Sequence, residues 1–237
     1  TRTKLYVLFN AVWTDITPTS FVTPNTNAAL GFGAYNYGVE DYGDARSQSG
    51  LQSDFDIWSL DNWGEELVAC CSSDGRLLKW NPNTGGTADT ISAAITNAPT
   101  GCRGLIVTNE RHLVALGASS DPRKVQWSDS ENYTTWTPAA TNAAGSLQLR
   151  TKGRITGAER WQTDILLFTT NGLHRMYYQG QPFVYGIQKA GESIGAIGKE
   201  SIVNTSGFMV WMTENGFVLY DGTVKPLECP VHDFIFD

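Results

Sequence analysis

The feature that most constrains the fold is a repeat. Four times along the chain an apolar strand, a polar turn and a second strand with an aromatic near its end follow one another. The units are residues 66–71, 72–75 and 76–80; 112–116, 119–122 and 124–127; 164–168, 171–172 and 173–178; and 208–212, 215–216 and 217–220. Three of the four turns carry Asp-Gly or Asn-Gly (Asp74-Gly75, Asn171-Gly172, Asn215-Gly216), the pairs that tolerate the positive φ of tight hairpins. The apolar starts Leu67, Leu113, Ile165 and Met209 lie 46, 52 and 44 residues apart, a spacing suited to propeller blades, whose repeats run about 40–50 residues.

Each unit also has a short upstream strand: residues 55–60, 104–108, 155–161 and 201–204. Linkers rich in Thr, Asn, Gly and Pro separate the units, at 81–86 and 137–142. No long stripe at helical spacing appears; the best candidate, residues 90–95, is short, stops before Pro99 and reads equally well as strand. The expected fold class is therefore all-β, a β-propeller-like body of repeated antiparallel four-stranded sheets. Four units rarely close a propeller alone, so the body is expected to be incomplete in this chain.

The expected division is residues 1–55, an N-terminal strand and extended excursion, and 56–237, a propeller-like domain of about four repeat units. Residues 4–10 read as strand, while Ala28 to Asp44 is rich in Gly and Tyr and reads as a partner-contacting loop. The start, Thr1-Arg2-Thr3-Lys4, has neither an initiator Met nor a signal core, and Phe234-Ile235-Phe236 has strand character at the very end. The chain is expected to be part of a longer polypeptide.

Composition narrows the functional classes. Charged residues make up only 17%, with 24 Gly and 8 Trp, as short strands and tight turns require. A net charge of -7 argues against a surface that grips nucleic-acid phosphates, though not against one that DNA slides past. No stretch approaches the roughly 20 apolar residues of a membrane helix, and no membrane partner is expected. Cys70, Cys71, Cys102 and Cys229 lack CxxC spacing and read as free thiols serving as small buried hydrophobes. With three histidines besides, no metal site or other cofactor is expected.

The candidates for chemistry are few. Asp54, Asp56, Asp61, Glu65 and Glu66 cluster, and a pair of them held roughly 5–10 Å apart would suit glycoside hydrolysis; solvated strand and turn carboxylates are the plainer reading. His112, His174 and His232 are far apart, and no nucleophile motif accompanies them. Gly31-Phe32-Gly33 lacks the third glycine of a dinucleotide loop. Asn132-Tyr133-Thr134 and Asn204-Thr205-Ser206 match the glycosylation sequon, a short pattern frequent by chance. Trp80 and Trp127 end corresponding strands, with Tyr177 and Tyr220 at similar places in the other units. An aromatic at a fixed point in each repeat packs between neighbouring sheets or, in a sharper reading, stacks on sugars or single-stranded bases.

Four segments carry a family resemblance. They are Ala11-Val12-Trp13-Thr14-Asp15-Ile16-Thr17-Pro18; the run from Trp58 through Trp63 to Ala69; Val125-Gln126-Trp127-Ser128-Asp129-Ser130-Glu131-Asn132-Tyr133-Thr134-Thr135-Trp136; and Asn215 to Gly222 with Val231 to Phe236. In this order they resemble the tail-nozzle, tail-hub or DNA-stabilisation proteins of short-tailed, podovirus-like bacteriophages. The resemblance implies a non-enzymatic structural protein of the virion tail, assembled in the host bacterial cytoplasm. It further implies a homo-oligomer, a hexameric ring below the portal and adaptor, neighbouring tail fibre proteins and closing the tube through which double-stranded DNA leaves without specific binding. Family chains are normally much longer than this one. The competing reading from another class is a carbohydrate-binding or carbohydrate-active phage-tail propeller, using exposed Trp and paired carboxylates. A cellular kelch or WD40 propeller is weakened by the lack of those repeat signatures.

Overall fold

A computed structural model describes residues 4–9, 11–22, 57–82, 89, 91–205 and 207–236. They form a two-stranded hairpin and four antiparallel four-stranded sheets, each meandering in chain order. The hairpin is β1 (Tyr6–Phe9) and β2 (Val12–Asp15). The first blade is β3 (Trp58–Trp63), β4 (Glu66–Cys71), β5 (Leu77–Trp80) and β6 (Ala93–Ala94). The second is β7 (Gly104–Val107), β8 (Leu113–Leu116), β9 (Lys124–Trp127) and β10 (Gly145–Gln148). The third is β11 (Ile155–Trp161), β12 (Asp164–Thr169), β13 (Gly172–Gly180) and β14 (Val184–Glu192). The fourth is β15 (Ile202–Asn204), β16 (Met209–Thr213), β17 (Gly216–Tyr220) and β18 (Val224–Leu227). The protein is all-β and propeller-like, and none of the sheets closes on itself.

The apolar alternation explains the stacking. In the first blade, Val68, Cys70 and Leu77 point one way, into a core shared with Leu105, Val107, Leu113 and Ala115 of the second. Ile106, Val114, Leu116 and Val125 point the other way, against Ala158, Ile165, Leu167 and Met176 of the third blade. Leu166, Phe168 and Leu173 then meet Met209, Trp211, Val218 and Tyr220 of the fourth. All eight residues of β7 and β8 are buried, so these strands read as unbroken apolar runs because both their faces carry a neighbour. Cys70 and Cys71, adjacent on β4, are both buried, and all four cysteines are free.

Among the described residues, the hairpin β1–β2 packs on the face of the first blade that is turned away from the second. Leu5 and Ile16, with Val7, pack on Ala69, Leu78 and Trp80. Ile16 O accepts hydrogen bonds from both Ser92 N and Ser92 Oγ, each 2.8 Å, which anchors the hairpin beside β6.

The structure decides one open reading, refines one turn and overturns one expectation. Residues 91–95 hold the two-residue strand β6, the strand alternative that the sequence left open. Phe234-Ile235-Phe236 belongs to a short helix, α1 (His232–Phe236), with Phe236 edge-on to Phe217 at 5.5 Å, so this end is not strand-like. The polar stretch 119–122 overlaps a single 3-10 turn, Ala118–Ser120. The predicted excursion from Ala28 to Asp44, including Gly31-Phe32-Gly33, lies outside the described residues, as do Asp54 and Asp56.

The first two blades are also joined through paired glycines. Gly75 (φ +67°) and Gly101 (φ +64°) approach so closely that a Cβ on Gly75 would lie 2.8 Å from Gly101 Cα, and Cys102 N donates to Gly75 O at 2.9 Å. Backbone stands on both sides, so relief by side-chain rotation is not available. Gly75→Ala is expected to lower stability by about 2 kcal/mol, from the left-handed conformation together with the contact. Gly198→Ala, with open space around it, serves as the near-neutral control. Urea unfolding should show a lower midpoint for the first variant at unchanged slope.

Candidate functional site

The leading strands of the blades, β3, β7, β11 and β15, lie side by side around the axis of the array, and polar side chains cross from one to the next. Ser59 Oγ donates to Leu105 O at 2.9 Å and accepts from Leu105 N at 3.2 Å. Two residues along β3, on the same face, Asp61 Oδ2 accepts Val107 N at 2.7 Å. The same carboxylate oxygen is ion-paired with Arg160 of the third blade, whose Nε donates to Val107 O at 2.7 Å. Asn204 of the fourth blade donates to Arg160 O at 2.6 Å. Lys199, in a 3-10 turn (Lys199–Ser201) ahead of β15, reaches back to Ser59 Oγ at 3.0 Å. One polar network thus ties all four blades.

Asp61 is therefore more than a solvated carboxylate of an acidic cluster, as the sequence suggested. It accepts a backbone amide and an arginine from two different blades, and its side chain is only 15% exposed. Removing it would strand the buried Val107 amide, at a cost of about 1–3 kcal/mol, and take the carboxylate partner from Arg160. Beside it, burial holds the Glu159 carboxyl above its ordinary pKa, opposed by the nearby charges of Lys199 and Arg160. The axis is thus a charge-paired cluster containing one carboxyl that resists ionisation.

A second cluster joins the first two blades at one rim. Trp63, at the end of β3, is buried between the Arg111 guanidinium, 4.5 Å from its ring, and the edge-on ring of Tyr133 at 5.3 Å. Tyr133 Oη donates to Glu66 Oε2 at 2.7 Å and lies 3.3 Å from Lys79 Nζ, while Asn81 Nδ2 donates to Glu66 Oε1. Trp136 is buried in the core between these blades, its Nε1 donating to Tyr133 O at 2.7 Å. Ser128 Oγ accepts Leu113 N at 3.0 Å, and Asp129 Oδ1 accepts Ala143 N at 2.8 Å. The segment from Trp127 to Trp136 is thus a bolt that leaves the second blade and fastens onto the first.

The other aromatics singled out from sequence are placed as follows. Trp80 donates to Asp89 O at 2.7 Å and Trp127 to Ala143 O at 2.8 Å, so both pin the segment that leads to the last strand of their own blade. Tyr220 is buried edge-on against Trp161 at 4.8 Å, between the third and fourth blades. Trp58 is half-buried and stacks on Phe21 at 5.1 Å. Tyr177 is half-buried beside Gly186 of its own sheet, where a Cβ would come within 2.8 Å of its ring. Trp161, Trp211 and Tyr185 were not singled out from sequence, yet each is buried at a blade interface; the paired residues at i and i+2 on neighbouring strands were the available signal.

The three histidines stay apart. His112 is buried with Nδ1 2.8 Å from Ser128 O, and His174 is buried in the third blade with Nδ1 unpartnered. His232 is half-exposed or more, with Nε2 3.1 Å from Asn215 O. Burial holds His174 below its ordinary pKa, with Lys189 acting in the same direction. No group of His, Cys, Asp and Glu suited to a metal occurs among the described residues. Of the two sequons, Asn132 is exposed and its Oδ1 accepts Thr134 N and Oγ1, and Asn204 donates to Arg160 O. No described helix is long and apolar enough to cross a membrane.

No known family profile matches the sequence, and a search of curated proteins finds no match. Among solved structures, a catalytically inactive variant of virginiamycin B lyase from Staphylococcus aureus, with quinupristin, is similar at TM-score 0.48 and 10% identity, covering 74% of this chain and 56% of that one. A selenomethionine form of the same lyase gives 0.47 and 9%, over 75% and 57%. A Bacteroides fragilis protein described as exported gives 0.40 and 11%, over 71% and 49%. The chain thus spans a little over half the length of the lyase. The expectation that this chain is not an enzyme is withdrawn on this finding, because two of the similar structures are of an enzyme. At such identity the likeness brings no activity, substrate or residue role to this chain.

The raised pKa of Glu159 predicts a pH dependence. The unfolded chain loses this proton near pH 4.5, the folded protein only at higher pH, so stability present below 4.5 is lost as pH rises through the folded value. Glu159→Gln should flatten that loss and leave a more stable protein at pH 7, read from urea midpoints measured between pH 4 and 8. A wild-type midpoint that rises across this interval, unchanged by the substitution, would contradict the placement of Glu159.

Proposed function

We propose that this chain is the β-propeller-like body of a tail component of a short-tailed bacteriophage, a nozzle or hub ring below the portal and adaptor through which double-stranded DNA passes. One observation carries the reading: three of the segments that resemble the family, taken in chain order, coincide with joints of the array. Ala11 to Pro18 contains β2 of the docked hairpin, Trp58 to Ala69 spans β3 and most of β4 with Asp61, and Val125 to Trp136 contains the bolt between blades, while Asn215 to Gly222 and Val231 to Phe236 hold the last hairpin turn with β17 and the short helix α1. A resemblance concentrated at joints favours a shared architecture over scattered coincidence.

The electrostatics are compatible with a conduit. The net charge is -7, which disfavours a surface that holds phosphates, and at the axis Arg160 is paired with Asp61. Function in this reading comes from a rigid, cross-bolted body that DNA passes without sticking.

The carbohydrate reading has less to draw on. It calls for exposed tryptophans beside paired carboxylates. Six of the eight tryptophans are buried, Trp58 is half-buried, and Trp13 is the exposed one.

The test is location. Antibody raised against the folded protein should label a single vertex of virions produced by bacteria carrying the coding sequence, at the tail. Label absent from purified virions, or spread over the capsid, would overturn the proposal.

A further inference from the structure

One end of the second blade gathers cations that no described carboxylate neutralises. Lys124 opens β9 opposite Gln148, the last residue of β10. Beyond that pair the two chain segments stay joined: Leu149 N donates to Arg123 O and Ile155 N to Pro122 O, each at 2.9 Å. Arg123 Nη1 donates to Thr151 O at 3.3 Å, against the linker that carries the chain from the second blade to the third. That linker adds Arg150 and Lys152, both exposed, to the partly exposed Arg123. Lys124, also partly exposed, flanks them on the adjoining face of the blade.

These four are an exception in the molecule. Elsewhere cations are held by carboxylates, as Lys4 is by Asp15, Arg76 by Asp74, Arg111 by Glu131 and Arg175 by Asp164. Arg123, Lys124, Arg150 and Lys152 have no carboxylate partner among the described residues. Residues 122–128 and 149–158 contain no Asp or Glu. Asp121, which precedes the first of these runs, accepts Arg123 N at 3.0 Å and Gln148 Nε2 at 2.6 Å. The chain has 24 acidic side chains against 17 basic ones, so carboxylates are plentiful and none is placed here. The linker is also fixed in place, because Arg154 N donates to Thr170 Oγ1 at 3.2 Å and Thr170 N to Arg154 O at 2.9 Å. Like charges held together on a fixed segment repel one another, and an anion seated among them offsets that repulsion.

We propose that this basic strip docks a short acidic segment of a partner protein, its carboxylates meeting Arg123, Arg150 and Lys152, with Lys124 at the flank. Charge complementarity names the partner's chemistry, and the two guanidinium forks suit carboxylates, which they can bind through two parallel hydrogen bonds. The brevity of the strip sets the partner's length. The whole chain stands at -7, so the chain outside the strip is acidic on balance. A DNA duplex, with a phosphate charge every ~1.7 Å of its axis, would run past the strip onto that acidic surface. A short acidic segment ends within the strip. Contacts of this kind steer encounter and fade as salt screens them. This inference stands independently of the tail reading.

The test is fluorescence anisotropy with the intact chain and fluorescein-labelled hexaglutamate, against hexaglutamine. The glutamate peptide alone is expected to bind at about 0.01 M salt, and to be released at about 1 M, where the screening length falls to about 3 Å. Arg150→Glu together with Lys152→Glu should weaken binding about tenfold. Lys4→Glu with Lys225→Glu makes the same change in net charge at cations already paired elsewhere, and should leave the affinity nearly unchanged. All four positions are exposed, and circular dichroism checks that both variants fold. Equal losses in the two variants would reduce the effect to overall charge and overturn the proposal. So would binding of hexaglutamine, no binding of hexaglutamate at low salt, or tighter binding of a random-sequence DNA duplex than of the peptide. Virion labelling is a separate readout, so failure here leaves the tail reading as it stands.

Discussion

Everything in this fold depends on burial of both faces of a sheet at once. A strand such as β8 has no polar side to offer water: Leu113, Val114, Ala115 and Leu116 are all buried, alternating between the first and third blades. Burying a Leu side chain fully contributes about 1.5–3 kcal/mol, and that burial requires the neighbouring blade. The blades are consequently not independent units. Each is a layer whose stability is supplied by the layers beside it, as in repeat proteins generally.

Apolar faces alone are non-directional, and the polar contacts set the relative placement of the layers. Asp61 ties the first blade to the second through the Val107 amide and to the third through Arg160; the bolt around Tyr133 and Trp136 fixes the first pair from the rim. These groups stand where the hydrophobic alternation would tolerate a slide of one sheet over another. The axial network through Ser59 and Asp61 and the rim bolt on Trp63 and Glu66 hold the same pair of blades at separate points.

Much of this was legible in the sequence, and the exceptions have causes. The four hairpins announced themselves because β4/β5, β8/β9, β12/β13 and β16/β17 carry the clearest apolar runs and turn pairs. The last strand of each blade did not. β6 is the two residues Ala93–Ala94, and β10 and β18 face solvent with little apolar signal, so their assignment comes from pairing with a neighbour and not from their own composition. Asp61 sat in a run of carboxylates that resembled a solvated surface, and its partners lie 46 and 99 residues away, beyond any local pattern. The final aromatic run mimics a strand, yet residues 232–236 curl into a helix that brings Phe236 back onto Phe217.

The claim that neighbouring layers stabilise one another is tested most directly by native-state hydrogen exchange, at dilution where the chain is monomeric. The account predicts a gradient: the ladder amides of β8 and β12, with a blade on either side, exchange slowest, and those of β17 and β18, whose outer side chains stay partly or fully exposed, exchange markedly faster. Equal protection in β12 and β17 would mean that each blade stands on its own hydrogen bonds and core, and would contradict the account.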